Sequence, residues 1–197
     1  GYPGWTTTPG QAGTTMYGFD VGIDASYNYF HLCAGDNVAR TFEYIEFSVA
    51  VTRALYMHDV LLRPYLGRVI IRTSQDKDPA NGKTAQTYLT AVKNEWNNNQ
   101  KSADRDVVAG ISKNSVGGGL AWVNVIGTES GYSVSDSGND GEFTVVWRHE
   151  LGHNWGLNHY DGGAPEGGTI NSDNKFARMS GPEAANALNQ RNNRTSV

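Results

Sequence analysis

A chain of 197 residues, with five Trp and ten Tyr among its 38% hydrophobic residues, is long enough for one domain with a substantial core. Its net charge of −4 and its lack of a basic run argue against nucleic acid or an anionic membrane surface as a partner. No apolar stretch is long enough to cross a bilayer, so the sequence predicts no membrane span.

The first half of the chain predicts alternating strands and helices. Residues 1–17 mix Gly, Pro and Thr without periodicity and are interpreted as a tail or linker. Near-alternating β-branched and aromatic residues over 19–31 predict a first strand. Apolar residues at helical spacing predict a long helix over 37–58 with Asp36 as its N-cap. A strand with a Val-Ile-Ile centre follows over 64–73.

The second half of the chain adds a helix, two strands and two more helices. The first helix follows the Asn81-Gly82 turn and runs to about Asn97, and the two strands cover 106–111 and 120–128. The last two helices are expected over about 141–155 and after Pro182. This order implies an α/β (α+β) domain over 18–197, with a mixed sheet and helices packed on it.

Three of the five histidines fall within one short segment, HELGHNWGLNH, which begins at His149. On a helix, His149 and His153 lie on one face a turn apart, so both imidazoles can reach one ion. Glu150 lies near the same edge, where it can reach a water bound to that ion. Two histidines with a glutamate between them are therefore arranged for metal-assisted hydrolysis.

Gly156 explains how His159 can reach the same ion. A helix that continued through His159 would turn this residue well away from the metal. Glycine readily takes a left-handed conformation, which ends a helix and reverses the chain. The sequence therefore predicts one catalytic zinc ion bound by His149, His153 and His159, with an open fourth position and Glu150 as the base beside it.

The remaining histidines and the single cysteine are expected to be structural. His31 and His58 are interpreted as polar surface or capping residues. Cys33 cannot form an internal disulfide and is expected to be a small buried apolar side chain.

The pattern HExxHxxGxxH is the signature of the metzincin zinc endopeptidases. The chain resembles their adamalysin or reprolysin branch, in a bacterial-looking form without disulfides. The resemblance covers roughly residues 19–190 and includes the YIE-bearing first helix, the RDVVAGIS strand, the GGGLAWV strand and the motif helix. It implies a twisted mixed sheet with long helices and an active-site helix. It also implies an upper subdomain over about 18–158 and a small, loop-rich lower subdomain over about 159–197.

The implied activity is zinc-dependent hydrolysis of peptide bonds in extended protein substrates, by a zinc-bound water that Glu150 activates. By the same resemblance, the edge strand that pairs with substrate comprises Gly119, Leu120, Ala121, Trp122 and Val123. The alternative for this segment is an ordinary edge strand. The resemblance also implies a monomer that is secreted or extracellular, with the periplasm or cell surface as alternatives. A removed pro-segment or flanking domains are compatible with the start at Gly1.

The chain departs from the family pattern in two places. Tyr160 follows the third histidine, where adamalysins have an Asp, and Asp161 comes one residue later. Metzincins also carry a methionine in a tight turn beneath the zinc. Matching the last helix puts Asn171 in that turn, which is the preferred placement, whereas a turn at 179–182 would use Met179. The wall of the pocket for the residue after the cleaved bond is expected within 160–178.

Calcium, which is frequent in the family, is expected to be weakly bound or absent. The family site uses a cysteine carbonyl near the C-terminus, and no cysteine lies there in this sequence. Asp24 and Asp106 could place carboxylates on adjacent strands, but two carboxylates do not fill the coordination sphere of calcium.

Two other functions compete with the endopeptidase. One is a binding module that keeps the metal site without turnover, for which Asn171 is the single supporting residue; hydrolysis that a chelator abolishes would exclude it. The other is a gluzincin-type hydrolase with Glu166 or Glu183 as the third ligand. Anomalous scattering at the zinc edge would identify the ligands.

Overall fold

The computed structural model describes residues 13–114, 116–138, 140–159, 179 and 181–194. The elements in chain order are β1 (Tyr17–Ala25), α1 (Tyr27–Leu32), α2 (Val38–Val60), β2 (Leu62–Ile71), a 3-10 turn (Gln75–Lys77), α3 (Ala85–Asn99), β3 (Val107–Ser112), β4 (Gly119–Ala121), β5 (Tyr132–Asp136), α4 (Thr144–Asn154) and α5 (Gly181–Asn193). No helix among these ranges is both long and apolar enough to cross a membrane.

The five strands form one mixed sheet in the order β2-β1-β3-β5-β4. β1 is parallel to β2 and β3, and β3 is parallel to β5. β4 is antiparallel to β5 and lies at the edge. All residues of β3 are buried, as expected for a central strand with helices on both faces. The predicted mixed sheet with packed helices is confirmed.

Helices cover both faces of this sheet. On one face α2, α4 and α5 share a core cluster with β1 and β3, which includes Phe19, Ile45, Trp147 and Leu151. On the other face α3 packs against β3 and β5 through a second cluster that includes Trp96. Because α4 buries one side in the first cluster, its opposite side is directed away from the core.

The predicted first strand is too long, and the predicted N-cap of the next helix is wrong by one residue. β1 ends at Ala25 because the Ser26 hydroxyl accepts the Tyr29 N–H and begins α1. Asn37, whose side chain accepts the Arg40 N–H, caps α2 instead of Asp36. Asp36 itself takes a left-handed backbone conformation with φ +59°. The predicted tail is also one residue too long, because Tyr17 belongs to β1.

The strand predicted over 120–128 is wrong in extent, and β5 was missed. β4 stops at Ala121, and the chain turns at Asn124, whose φ is +61°. β5 alternates apolar residues with serines, yet Ser133 and Ser135 are fully buried. A strand covered on both faces can bury small polar residues, so its pattern does not stand out from a loop.

Asp24 lies in β1, whereas Asp106 directly precedes the neighbouring strand β3, and the two carboxylates do not share a site. Asp24 pairs in register with Gly110, four residues beyond Asp106. Four residues of strand correspond to roughly 13 Å. The Asp24 carboxylate accepts two hydrogen bonds from Arg72 and one from the Trp96 indole. Asp106 accepts the backbone N–H of residue 20.

The two histidines outside the motif lie at the surface. His31 approaches Asp36 at 3.0 Å and His58 approaches Asp59 at 2.9 Å, and both imidazoles are largely exposed. Cys33 is less buried than expected. Its thiol is 3.2 Å from the Ser137 hydroxyl, and partial burial raises its pKa.

Candidate metal centre

Helix α4 presents two histidines on the side that faces away from the core. Trp147 and Leu151 are buried in the core cluster, which fixes the rotation of the helix. His149 and His153 follow one turn apart on another side, and their ring centroids are 4.9 Å apart. The helix therefore holds both imidazoles next to each other, as the spacing predicts.

A glycine-dependent cap reverses the chain after α4. Gly156 has φ +87°, and its N–H donates to the His153 carbonyl at 2.8 Å. The Leu157 N–H donates to the Gly152 carbonyl at 2.9 Å. These two bonds form a Schellman motif, which requires a left-handed residue at the position of Gly156. Leu157 is buried and anchors the returning chain, so His159 comes back toward the helix.

The three imidazoles converge on one point. Nε2 of His159 is 3.2 Å from Nε2 of His149 and 3.2 Å from Nε2 of His153. Zinc binds imidazole nitrogens at about 2.0–2.1 Å in a tetrahedron, which places neighbouring nitrogens about 3.3 Å apart. The separations and the all-nitrogen donor set therefore fit zinc. Within the described ranges this is the one group of three or more His, Cys, Asp or Glu side chains that could hold an ion.

A backbone carbonyl orients one of the three converging histidines. Nδ1 of His153 lies 2.6 Å from the Leu157 carbonyl oxygen, to which it can only donate. Nε2 of His153 therefore carries the lone pair that faces the centre. Burial also lowers the pKa of His153, which favours the neutral ring that a metal needs. The sequence does not predict this contact, because the direction of the Leu157 carbonyl depends on the exact backbone path after the reversal at Gly156.

The Glu150 carboxyl is buried between α4 and the edge strand. Glu150 is 5% exposed, and burial raises its pKa to about 7. A Cβ built on Gly119 would lie only 2.4 Å from Oε1 of Glu150. Gly119 thus lets the backbone of β4 pass directly against the carboxyl. The sequence predicts a glutamate near the metal but gives no signal for this contact.

Asn154 ties α4 to the sheet. Its side chain is fully buried, and Nδ2 donates to the carbonyls of Trp122 and Tyr132 at 3.0 Å each. The Asn124 N–H also donates to the His153 carbonyl at 2.9 Å. The position of β4 relative to the histidines is therefore set by hydrogen bonds. Sequence reasoning missed Asn154, although a polar residue next to a ligand histidine is a usable signal.

The residues predicted to bind substrate lie in and just after β4, the last strand of the sheet that the described residues form. Gly119 faces Glu150, whereas Leu120 and Trp122 pack against the core cluster beneath α3. The Trp122 ring meets Tyr132 edge-on at 6.4 Å. The segment therefore offers its backbone edge rather than a row of side chains. Binding of a peptide there stays a prediction.

The segment predicted to turn beneath the metal is only partly described. Met179 is buried in the main core cluster, and its N–H donates to Asp59 at 2.8 Å. Asn171 lies outside the described residues, as do Tyr160, Asp161 and Glu166 of the predicted site. The choice between Asn171 and Met179 therefore stays open. Glu183, the other glutamate considered as a ligand, lies in α5 and does not belong to the histidine group.

Comparison with known proteins gives a family and a fold. The family model Reprolysin_5, described as metallo-peptidase family M12, matches residues 17–191. Metalloproteinase-II from Bacteroides fragilis has 10% identity and a TM-score of 0.57, with 90% of this chain and 54% of that chain covered. A structure of a chaperone-substrate complex has 22% identity and a TM-score of 0.57, with 76% of this chain and 25% of that chain covered. This chain thus spans about half the length of metalloproteinase-II and about a quarter of the length of the matching chain in the complex. No curated protein matches the sequence.

Proposed function

Because the chain belongs to metallo-peptidase family M12, we propose that it is a zinc-dependent endopeptidase that hydrolyses peptide bonds in extended protein substrates. The observation that carries the proposal is the convergence of three histidine Nε2 atoms, 3.2 Å apart in two of their pairs, beside the buried Glu150 carboxyl. Three nitrogen ligands leave a fourth position for reaction, as catalytic zinc sites do.

The chain's own residues supply the proton transfers. When bound, zinc acts as a Lewis acid that polarises the scissile carbonyl and acidifies water. Glu150 accepts a proton from the attacking water while the water oxygen bonds to the carbonyl carbon. Glu150 then delivers that proton to the amide nitrogen as the C–N bond breaks. The Leu157 carbonyl keeps the His153 ring in one orientation throughout.

An extended peptide is the substrate that this edge of the sheet fits best. β4 pairs with β5 on one side and has no strand on its other side in the described sheet. A peptide that adds to this edge would form backbone hydrogen bonds that do not depend on its side chains. Gly119 would hold the peptide backbone close to Glu150, because β4 and the carboxyl are in contact there.

The decisive experiment combines peptide hydrolysis with zinc analysis. We expect the zinc-loaded protein to cleave an unfolded protein such as casein, and a chelator to abolish the cleavage until zinc is restored. Glu150→Gln should keep its zinc and lose at least roughly a hundredfold in turnover, as is typical of losing a general base. Glu46→Gln, a change at an exposed glutamate of α2, is the matched control and should keep full activity.

Two outcomes would contradict the proposal. A protein that holds one equivalent of zinc yet cleaves neither casein nor any member of a peptide library would be a binding module. Near-full activity of a zinc-loaded Glu150→Gln protein would show that another group moves the proton.

A further inference from the structure

The backbone of β4 presents every second residue to its outer side. In an antiparallel pair, the hydrogen-bonding groups of successive residues point to opposite sides of the strand. The Asp136 N–H of β5 donates to the Gly118 carbonyl at 2.7 Å, so Gly118 turns its backbone inward. By alternation, the N–H and C=O groups of Gly119 and Ala121 point outward. An antiparallel peptide would pair with these two residues and would continue the antiparallel pairing of β4 with β5.

The contact between Glu150 and Gly119 fixes the position of the cleaved bond along β4. The proton transfer from Glu150, on which this inference rests, belongs to the proposed endopeptidase function. Glu150 gives its proton to the amide nitrogen of the first residue after the cleaved bond, and its carboxyl lies against Gly119. That peptide residue therefore lies opposite Gly119. Each later residue of β4 faces an earlier residue of an antiparallel peptide, so Trp122 faces the third residue before the cleaved bond.

Trp122 keeps the register of β4, although the strand ends at Ala121. Ala121 pairs with Ser133, so the next partner along β5 is Tyr132, opposite Trp122. The rings of Trp122 and Tyr132 meet edge-on at 6.4 Å, and their carbonyls both accept from the Asn154 amide at 3.0 Å. The Trp122 ring packs on the α3 side of the sheet. A peptide side chain directly opposite Trp122 would share this face, with its Cβ about 5 Å away.

Lys93 of α3 places an ammonium group on this same face. Its Nζ is 5.1 Å from the centroid of the Trp122 ring and donates to the Ser130 hydroxyl at 3.0 Å. An ammonium group has three N–H donors, and the hydroxyl uses one of them. Lys93 is partly buried, and within the described ranges it forms no ion pair with a carboxylate. Its remaining donors can therefore meet an acceptor on a bound peptide.

We propose that Lys93 and Trp122 form a subsite that selects a glutamate as the third residue before the cleaved bond. The methylenes of the glutamate pack on the Trp122 ring, and its carboxylate binds the Lys93 ammonium group. Glutamate fits better than aspartate, because Nζ lies over the ring rather than over the backbone of β4. Lys93 takes no part in proton transfer, so it determines which segment is cleaved rather than how the bond is broken.

The test uses two fluorogenic peptides that differ only in Glu or Gln at the third position before the cleaved bond, with the cleavage site verified by mass spectrometry. For the zinc-loaded full chain, we expect kcat/KM to be about fivefold higher for the Glu peptide, as one partly exposed charged contact provides. In a third peptide the glutamate moves one residue closer to the cleaved bond. Its side chain then points to the opposite face, so the advantage should disappear.

Variants assign the preference to Lys93. Lys93→Met keeps an unbranched stem over the Trp122 ring but removes the charge, so the ratio of kcat/KM between the Glu and Gln peptides should fall to about one. Lys93→Arg keeps the charge and should retain most of the preference. Lys101→Met, a change at an exposed lysine just beyond the end of α3, is the matched control and should keep the wild-type kcat/KM for both peptides.

Binding to the zinc-loaded Glu150→Gln protein separates this subsite from the proposed activity. Fluorescence anisotropy should show about fivefold tighter binding of the Glu peptide than of the Gln peptide. If this preference is found but the wild-type protein cleaves neither peptide, the endopeptidase proposal fails and the subsite stands.

The subsite is overturned if the wild-type protein cleaves both peptides with equal kcat/KM, or if Lys93→Met keeps the wild-type ratio. A preference for glutamate after the cleaved bond instead of before it would show that the peptide runs parallel to β4, and it would also overturn the subsite. Peptides that are neither bound nor cleaved would overturn both proposals.

Discussion

Replacing Gly119 by alanine is expected to slow hydrolysis without removing zinc. A Cβ on Gly119 would lie 2.4 Å from Oε1, 2.6 Å from Cγ and 2.7 Å from Cδ of Glu150. Non-bonded atoms rest about 3.5 Å apart, so the carboxylate would have to move by about 1 Å. A misplacement of about 1 Å costs roughly a hundredfold in rate, or about 2.7 kcal/mol in the barrier. Steady-state kinetics on a fluorogenic peptide should show this loss in kcat, with KM and zinc content nearly unchanged.

Gly18→Ala is the matched control for this prediction. A Cβ on Gly18 would lie 2.6 Å from the Tyr65 ring. This ring is partly exposed and can rotate away from the added methyl group, and both residues lie outside the candidate metal centre. We expect this protein to keep the wild-type kcat. In a Glu150→Asp protein the side chain is shorter by one methylene, so a methyl group at position 119 has less to displace. Adding Gly119→Ala to that protein should therefore lower kcat by less than about threefold, and this dependence of one substitution on the other is typical of residues in contact. An equal cost in both backgrounds, or wild-type kcat in the single variant, would refute the reasoning.

Three further predictions concern stability and metal binding. In the zinc-free protein, Glu150→Gln should raise the free energy of unfolding at pH 8 by up to about 3 kcal/mol but leave it unchanged at pH 4. Burial raises the pKa of the Glu150 carboxyl from 4.5 to about 7, so the wild-type protein loses stability as the pH rises through that range. Urea unfolding curves in which the difference between variant and wild type does not depend on pH would contradict this. Gly156→Val should weaken zinc retention during dialysis against a graded chelator, whereas Gly82→Val, at φ +68° with open space around it, should lose only stability; equal retention would mean that Gly156 does not place His159. Calcium should leave the Tm unchanged, because Asp24 and Asp106 are engaged by other groups; a calcium-dependent rise would show a site that these contacts do not reveal.

The limits of prediction for the fold are clearest at β5 and α1. The long helix α2 and the apolar strands β2 and β3 were expected close to their observed bounds, because their patterns repeat over many residues. β5 was not expected, because Ser133 and Ser135 look like loop residues until both faces of the sheet are covered. α1 was read as strand because a single hydroxyl, that of Ser26, decides where β1 ends. Short elements carry too few residues for a pattern to outweigh one cap or one neighbour.

The sequence by itself determined the donor set of the candidate metal centre. His149, His153, Gly156 and His159 act through local geometry, namely one helical turn and one chain reversal, and local geometry follows from spacing and residue type. Their nitrogens meet where that geometry requires.

Only the tertiary structure decided what surrounds those histidines. Gly119 lies against Glu150, and Asn154 holds the carbonyls of Trp122 and Tyr132. These partners are separated by 22 residues or more along the chain, and no periodicity links them. They meet because β4 forms the edge of a sheet on which α4 packs. Contacts between elements depend on how the whole core closes, and for that reason spacing within one element cannot predict them.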